Sequence, residues 1–197
     1  MNVQPELLEN FEPQLPKDRL FIGILPDPET ARRIHEIASE IRQRHGLTAP
    51  IRPVDHFHIT LRWINDYPKL SEYDVAQASA ACESAAAKAA PFQICLERAI
   101  SWGHTVERKP LVMIGGADSN DPLLNFHQLL LKELLKNRCS GRGSRTLTPH
   151  VTLLYDRNKI PEEAVPPISW TVGEVFLLHS ELGSTIYHER GRWKLRG

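Results

Sequence analysis

The sequence predicts a mixed α and β protein made of two related lobes. Its 197 residues with 41% hydrophobic content are enough for a well-covered core. Short apolar segments typical of strands alternate with amphipathic helical segments. One order of elements occurs twice: an apolar strand, an Asp-Pro helix start, an amphipathic helix, a loop, and a strand with His-x-Thr-Leu. Two lobes that face one another would bring the repeated strands to a shared cleft.

The first repeat follows residues 1–18, whose prolines and scattered acids predict an extended arm rather than a domain. "LFIGIL" (20–25) predicts a strand, and the Asp-Pro pair at 27–28 predicts an N-cap and the first turn of a helix. Apolar residues at steps of three and four continue this helix until Gly46. A loop then leads into the predicted strand "HFHITLRWI" (56–64).

A helix and a strand are predicted between the two repeats. The helix covers 71–90, with Ser71 and Asp74 as a capping box, and Pro91 ends it. "FQICLERAIS" (92–101) alternates between apolar and polar residues, which is typical of a half-buried strand.

The second repeat and the tail complete the predicted elements. The strand "PLVMIGG" (110–116) is followed by Asp121 as the predicted N-cap, a leucine-rich helix, a loop with two glycines, and the strand "TPHVTLLY" (148–155). The tail predicts two strands, "WTVGEVFLLHSEL" and "STIYHERGRWKL", joined by a turn at 183–184. We therefore expect a single bilobal domain over 19–197.

Charge and cysteine content exclude several classes of protein. Basic and acidic side chains balance at 24 each, so the protein has no overall positive charge that would bind a long polyanion. Any contact with nucleic acid must therefore be local. The three cysteines are odd in number and form no CxxC pair, which argues against a disulfide framework and a cysteine zinc site. The chain has neither a signal-like start nor a long apolar run, so we expect a cytoplasmic protein without a membrane contact.

The strand at 56–64 has one polar and one apolar face if its side chains alternate. The polar face carries His56, His58, Thr60 and Arg62. The second copy repeats only part of this face, with His150 and Thr152. A single copy of His-x-Thr-Leu is weak evidence, whereas two copies in matched contexts are a strong signal. The paired histidines and threonines are therefore the candidate active site.

Two opposed imidazoles suit phosphoryl transfer that needs one acid and one base near neutral pH. One ring accepts a proton from water and the other donates a proton to the departing oxygen. A threonine on the same face can donate its hydroxyl to a non-bridging phosphate oxygen. This chemistry needs no metal or other cofactor, and it predicts a bell-shaped pH profile. From the residues alone, either histidine can take either role.

The motifs His58-x-Thr60-Leu61 and His150-x-Thr152-Leu153 resemble the signature pair of the two-histidine phosphoesterases. The nearest branch is the bacterial RNA 2′,3′-cyclic phosphodiesterase group, also called 2′-5′ RNA ligase-like proteins, and the similarity covers nearly everything after residue 18. The resemblance implies a bilobal α+β fold, with two antiparallel sheets and outer helices related by a pseudo-twofold axis and the active-site cleft between the lobes. It implies metal-independent opening of 2′,3′-cyclic phosphates to 2′-phosphates, on RNA ends or cyclic nucleotides, and reversible 2′-5′ ligation in some members. We expect the protein to act as a monomer.

By the same resemblance, His58 is the expected proton donor and His150 the expected proton acceptor, with Thr60 and Thr152 holding the phosphate. Many members place an arginine five residues after the second histidine, where this chain has Tyr155. Strict alternation puts Tyr155 on the face opposite His150, so a bulge is needed to bring it into the cleft. Arg62, and Arg142 or Arg145 in the glycine-rich loop, are the expected alternative sources of positive charge.

Two other hypotheses remain open. The protein could be an RNA-end binding module that keeps the fold without turnover. It could also be a metal hydrolase built on His56 and His58, because His-x-His is a metal-ligand spacing, with His104 or Glu174 as further ligands. Among the tryptophans, Trp102 beside Gly103 is the candidate for stacking on a base.

Overall fold

The computed structural model describes residues 14–103, 108–116, 120–139, 141–184 and 186–197. Eight strands and three helices occupy these ranges. In chain order they are β1 (Asp18–Ile24), α1 (Pro28–Arg44), β2 (Ile59–Tyr67), α2 (Glu72–Ala86), β3 (Phe92–Ser101), β4 (Lys109–Ile114), α3 (Asp121–Lys136), β5 (His150–Asp156), β6 (Glu163–Val172), β7 (Glu174–Glu181) and β8 (Ile186–Lys194). Within this described part, no helix has the length and apolar character needed to cross a bilayer.

The strands form two four-stranded antiparallel sheets within the described residues, in the orders β2-β1-β7-β8 and β5-β4-β3-β6. Each His-x-Thr-Leu strand is the edge strand of its sheet, and it pairs with the strand that precedes its own helix. The units β1-α1-β2 and β4-α3-β5 are therefore equivalent, as the repeat predicts, and we call the sheet β2-β1-β7-β8 the first lobe and the sheet β5-β4-β3-β6 the second lobe. The predicted bilobal α+β fold with two antiparallel sheets is confirmed.

The predicted start of α1 is confirmed, but that of α3 is wrong by one residue. Asp27 caps α1 by accepting hydrogen bonds from the backbone N–H groups of Glu29 and Thr30, at 3.0 and 2.9 Å. In α3 the N-cap position is Asn120, and Asp121 is already helical. The Asn120 side chain makes no capping bond because it is buried and bonded elsewhere.

The amide of Asn120 connects three parts of the second lobe. Its Nδ2 donates to the carbonyl oxygens of Cys95 and Gly116, at 3.0 and 2.7 Å, and its Oδ1 accepts from the Cys95 N–H at 3.1 Å. These bonds join β3, the segment after β4 and the start of α3. Asn120 thus holds the second repeat together at the point where α3 begins.

Two other predictions of element bounds are also wrong. The helix expected at 71–90 ends at Ala86, although Ser71 caps it as predicted by accepting from Asp74 N–H. The tail holds three strands instead of two, because β6 (Glu163–Val172) was not predicted. Its paired prolines, 166–167, argue against a strand, but β6 is an edge strand that pairs only with β3, where missing N–H donors are tolerated.

The predicted arm at 1–18 falls mainly outside the described residues, since 1–13 are not described. Asp18 already belongs to β1, and Lys17 N–H donates to the Tyr67 carbonyl oxygen at 2.8 Å. The cysteines are free, with Cys82 and Cys139 buried and Cys95 half-buried. Burial raises the pKa of the Cys139 thiol to about 11, which keeps it protonated and unreactive at neutral pH.

We predict that Asn120→Ala lowers the free energy of unfolding by roughly 2–4 kcal/mol, because it removes three hydrogen bonds and leaves the N–H and carbonyl groups of Cys95 in β3 without this partner. Urea denaturation measures this change. Asn158→Ala is the matched control, since Asn158 is exposed, and it should change the free energy of unfolding by less than about 0.5 kcal/mol. Equal effects of the two substitutions would contradict the role given to Asn120.

Candidate active site

The two repeated motifs meet in a cavity of about 390 Å³ between the lobes. His58 reaches it from directly before β2 and Thr60 from the start of β2, whereas His150 and Thr152 reach it from the start of β5. The other lining residues are Arg19, Phe21, Arg52, Trp63, Tyr155, Ser180, Glu181, Leu182, Gly183 and Tyr187. The structure therefore brings together the four residues that the repeat singles out.

Both histidine rings are held in the same way by backbone carbonyl groups. The Nδ1–H of His58 donates to the carbonyl oxygen of His56 at 2.8 Å, and that of His150 donates to the carbonyl oxygen of Thr148 at 2.7 Å. A carbonyl oxygen can only accept, so Nδ1 must carry the proton in each ring. Nε2 is then the nitrogen that can exchange a proton with a ligand in the cavity.

Each ring also packs against an aromatic side chain. Phe21 of β1 lies 4.9 Å from the His58 ring, and Trp102 at the end of β3 lies 4.5 Å from the His150 ring, measured between centroids. These contacts, together with the Nδ1 bonds, restrict rotation of both imidazoles. Each catalytic candidate is thus held by one backbone carbonyl group and at least one aromatic side chain.

Burial lowers the pKa of both histidines. It lowers the pKa of His58 to about 4. The hydrogen bond to the His56 carbonyl raises this pKa, and the positive charge of Arg52 lowers it further. Burial also moves the pKa of His150 below its ordinary value, against the effect of the bond to Thr148. Both rings are therefore neutral at neutral pH when the cavity holds no anion.

A β-bulge interrupts both motif strands directly after the threonine. In β2, Thr60 pairs with Gly23 and Arg62 pairs with Ile22, so Leu61 is the extra residue. In β5 the extra residue is likewise the leucine of the motif, because Thr152 and Leu154 pair with consecutive residues of β4. A bulge reverses the faces that follow it.

This reversal corrects the predicted position of Arg62 and explains that of Tyr155. Arg62 points away from the histidines, as Leu154 does in the other lobe, and it is 7% exposed. Its guanidinium donates to the carbonyl oxygens of Gly143 and Ser144, at 3.4 and 2.8 Å. Tyr155 lines the cavity through the bulge that this position requires.

Trp63 is the counterpart of Tyr155 in the first lobe, and it also lines the cavity. Arg145 is exposed in the loop before β5 and does not line the cavity.

Two arginines that the sequence analysis did not select line the cavity. The guanidinium of Arg19 lies 5.0 Å from the Trp63 ring centroid, and that of Arg52 lies 6.0 Å from the Tyr155 ring centroid. Arg52 also donates to the hydroxyl of Tyr187 at 2.7 Å, and its backbone N–H donates to the Leu153 carbonyl oxygen at 2.8 Å. Two guanidinium groups therefore reach the cavity from segments outside the two motifs, and that of Arg19 is paired with Asp66.

Asp156 fixes the loop that carries Arg52. Its carboxylate accepts from the N–H groups of Thr48 and Ala49, both at 2.8 Å, and from that of Asn158. Burial opposes ionisation of Asp156, but these backbone donors outweigh it and hold its pKa below the ordinary value. The end of β5 thus anchors the segment that leads into β2.

Comparison with known proteins places this fold and site in a family. The profile of the 2′-5′ RNA ligase superfamily matches residues 26–184, which include both motifs. The chain belongs to the 2′-5′ RNA ligase superfamily. Comparison with curated protein sequences finds no match.

Several solved structures have the same fold as this chain. The crystal structure of TT0787 of Thermus thermophilus has a TM-score of 0.70 and 21% identity, over 91% of this chain and 98% of that one. E. coli LigT in its apo form has a TM-score of 0.64 and 23% identity, over 93% and 100%. E. coli LigT complexed with 3′-AMP has a TM-score of 0.63 and 24% identity, with the same coverage.

His56 is not part of the strand β2. It lies in a 3₁₀ turn (Val54–His56) before β2, so the predicted strand starts too early. Its ring stacks on Tyr187, with centroids 4.5 Å apart and an angle of 12°. His104 lies outside the described residues, and Glu174 lines a different cavity beside Arg192. Within the described ranges, His, Cys, Asp and Glu side chains form no group of three or more that could hold a metal ion.

Proposed function

We propose that this protein hydrolyses 2′,3′-cyclic phosphate ends of RNA, or small cyclic nucleotides, to 2′-phosphates without a metal ion. Membership in the 2′-5′ RNA ligase superfamily supports a phosphoesterase or ligase activity. The observation that carries the finer proposal is the pair of Nδ1-anchored histidines, each with a threonine, in one cavity. E. coli LigT has been crystallised with 3′-AMP and with phosphate, which agrees with a nucleotide phosphate as the ligand.

The proposed reaction is a single in-line displacement at phosphorus. Water forms the new P–O bond and gives a proton to Nε2 of His150, while the P–O3′ bond breaks and O3′ takes a proton from Nε2 of His58. Thr60 and Thr152 donate their hydroxyls to the non-bridging oxygens. The 2′-phosphate and a free 3′-hydroxyl result. A 5′-hydroxyl in place of water gives a 2′-5′ bond by the same step.

The proton donor, His58, must gain its proton when the substrate binds. Because both rings are neutral in the empty cavity, a cyclic phosphate monoanion that arrives between them favours the charged form of one imidazole. Arg52 supplies further positive charge at the same cavity, whereas the charge of Arg19 is paired with Asp66. One chain contains the whole proposed catalytic pair, so the proposal assigns the activity to a monomer.

We predict that hydrolysis of adenosine 2′,3′-cyclic phosphate persists in EDTA and falls by about 10²–10⁴-fold in His58→Ala and in His150→Ala, because each loses one proton transfer. Chromatography of the released 2′-phosphate measures the rate. His35→Ala is the matched control, since His35 lies on α1 away from the cavity, and it should retain activity. Loss of activity in EDTA would favour the metal hydrolase, and RNA binding without turnover would favour the binding module.

The pH dependence of kcat/KM gives a second prediction. One histidine must be charged and one neutral, and both pKa values lie below the ordinary 6.5 in the free protein. We expect a bell-shaped profile with its maximum below pH 6.5 and a loss of about tenfold per pH unit on the alkaline side. Because bound phosphate raises these pKa values, the alkaline limb of kcat should lie at higher pH than that of kcat/KM. A flat kcat/KM between pH 5 and 9 would contradict the paired histidines.

A further inference from the structure

The catalytic cavity opens into a second cavity of about 290 Å³. Thr60, Trp63 and His150 line both cavities. The second cavity extends from these shared residues towards Trp102 and the loop before β5. A ligand whose phosphate lies between the histidines can therefore continue into it without leaving the surface of the protein.

Two tryptophans form the aromatic surface of the second cavity. The Trp102 ring is inclined at 58° to the His150 ring, and its backbone N–H donates to the Pro110 carbonyl oxygen at 2.9 Å. Trp63 is held by a hydrogen bond of 3.0 Å from its Nε1–H to Asp66. Their fixed rings can stack with a base at little cost in conformational entropy.

Arg142 supplies a positive charge beside these rings. Its backbone N–H donates to the Trp63 carbonyl oxygen at 2.7 Å, which fixes its distance from β2. Its guanidinium is in no ion pair with any residue that the structure describes, although its charge helps to lower the pKa of Asp66 after the larger effect of the Arg19 hydrogen bond. The neighbouring acid, Asp66, is already held by Arg19 through two bonds of 2.7 and 2.8 Å. Arg142 is therefore placed to bind an anion in the second cavity.

The loop that carries Arg142 is built to lie closely against β2. Gly141 has a φ of +63°, and a Cβ at this position would lie 2.6 Å from Nε of Arg62 and 2.7 Å from the Trp63 carbonyl oxygen. Arg62 holds the next part of the loop through the carbonyl oxygens of Gly143 and Ser144. The position of Arg142 is thus a defined feature of the fold.

We propose that the second cavity is a binding subsite for the nucleotide that precedes the one at the histidines in an RNA chain. Its base stacks on Trp102, and Arg142 binds the phosphodiester that joins the two nucleotides. This inference rests on the proposed function, because the proposed chemistry places the terminal phosphate at the histidines. A free cyclic mononucleotide occupies the first cavity alone, so the subsite favours RNA ends over mononucleotides.

The test compares the binding of two reaction products, which needs no turnover. Isothermal titration calorimetry gives the dissociation constants of adenosine 2′-phosphate and of the dinucleotide ApA that ends in a 2′-phosphate. We expect the dinucleotide to bind about tenfold more tightly, in line with the stacking of one base on an aromatic ring. Its additional phosphate contact should also make its affinity fall more steeply with salt.

Substitutions in the second cavity test whether it causes the difference in affinity between the two ligands. Trp102→Ala should lower the ratio of the two dissociation constants to the part that the Arg142 contact supplies, and Trp102→Phe should retain most of the ratio. Arg142→Gln should remove the extra salt dependence, whereas Arg33→Gln, which changes an exposed arginine on α1, should leave both ratio and salt dependence unchanged.

Equal affinities for the two ligands, or a ratio that survives both Trp102→Ala and Arg142→Gln, would overturn the subsite. Failure of the dinucleotide to bind would overturn it as well. If the ratio behaves as expected but cyclic phosphates are not hydrolysed, the subsite stands and the proposed reaction fails.

Discussion

The hydrogen bond from each histidine Nδ1 to the carbonyl oxygen two residues earlier is the constraint on which the proposed chemistry depends. It fixes the tautomer of both rings, because the carbonyl can only accept, and it leaves Nε2 as the exchanging nitrogen. The packing of Phe21 and Trp102 against the rings adds rigidity. Burial then lowers both pKa values, so the charge state of the pair responds to a bound anion.

Each of the two sheets carries one such anchored histidine, and both histidines face the same cleft. Each motif strand is an edge strand and bulges at the leucine of the motif, which turns one aromatic side chain, Trp63 or Tyr155, into the cavity. Arg19 and Arg52 approach these two rings from segments outside the motifs. Where many relatives are expected to place an arginine, this chain has Tyr155 with the guanidinium of Arg52 beside it. Positive charge is kept near the phosphate site, although it comes from another part of the chain.

Local patterns were enough to predict much of the fold. The Asp27 cap, the helix periodicities and the repeated motif depend on residues close in sequence, and the structure confirms the two-sheet architecture that the repeat and the family resemblance indicated. The bulges could not be predicted in this way, because they depend on the register with β1 and β4. The error in placing Arg62 follows directly, since strict alternation assigns it to the wrong face.

The remaining differences also have tertiary causes. Asn120 is a bridging residue because β3 lies beside it, and Arg52 enters the cavity because Asp156 anchors the preceding loop. The most direct test of the central claim is a ¹⁵N NMR measurement of the protonation of His58 and His150 at neutral pH in the ligand-free protein. The account predicts that both rings are neutral and carry their proton on Nδ1. A proton on Nε2 in either neutral ring, or a charged imidazolium without a bound anion, would contradict it.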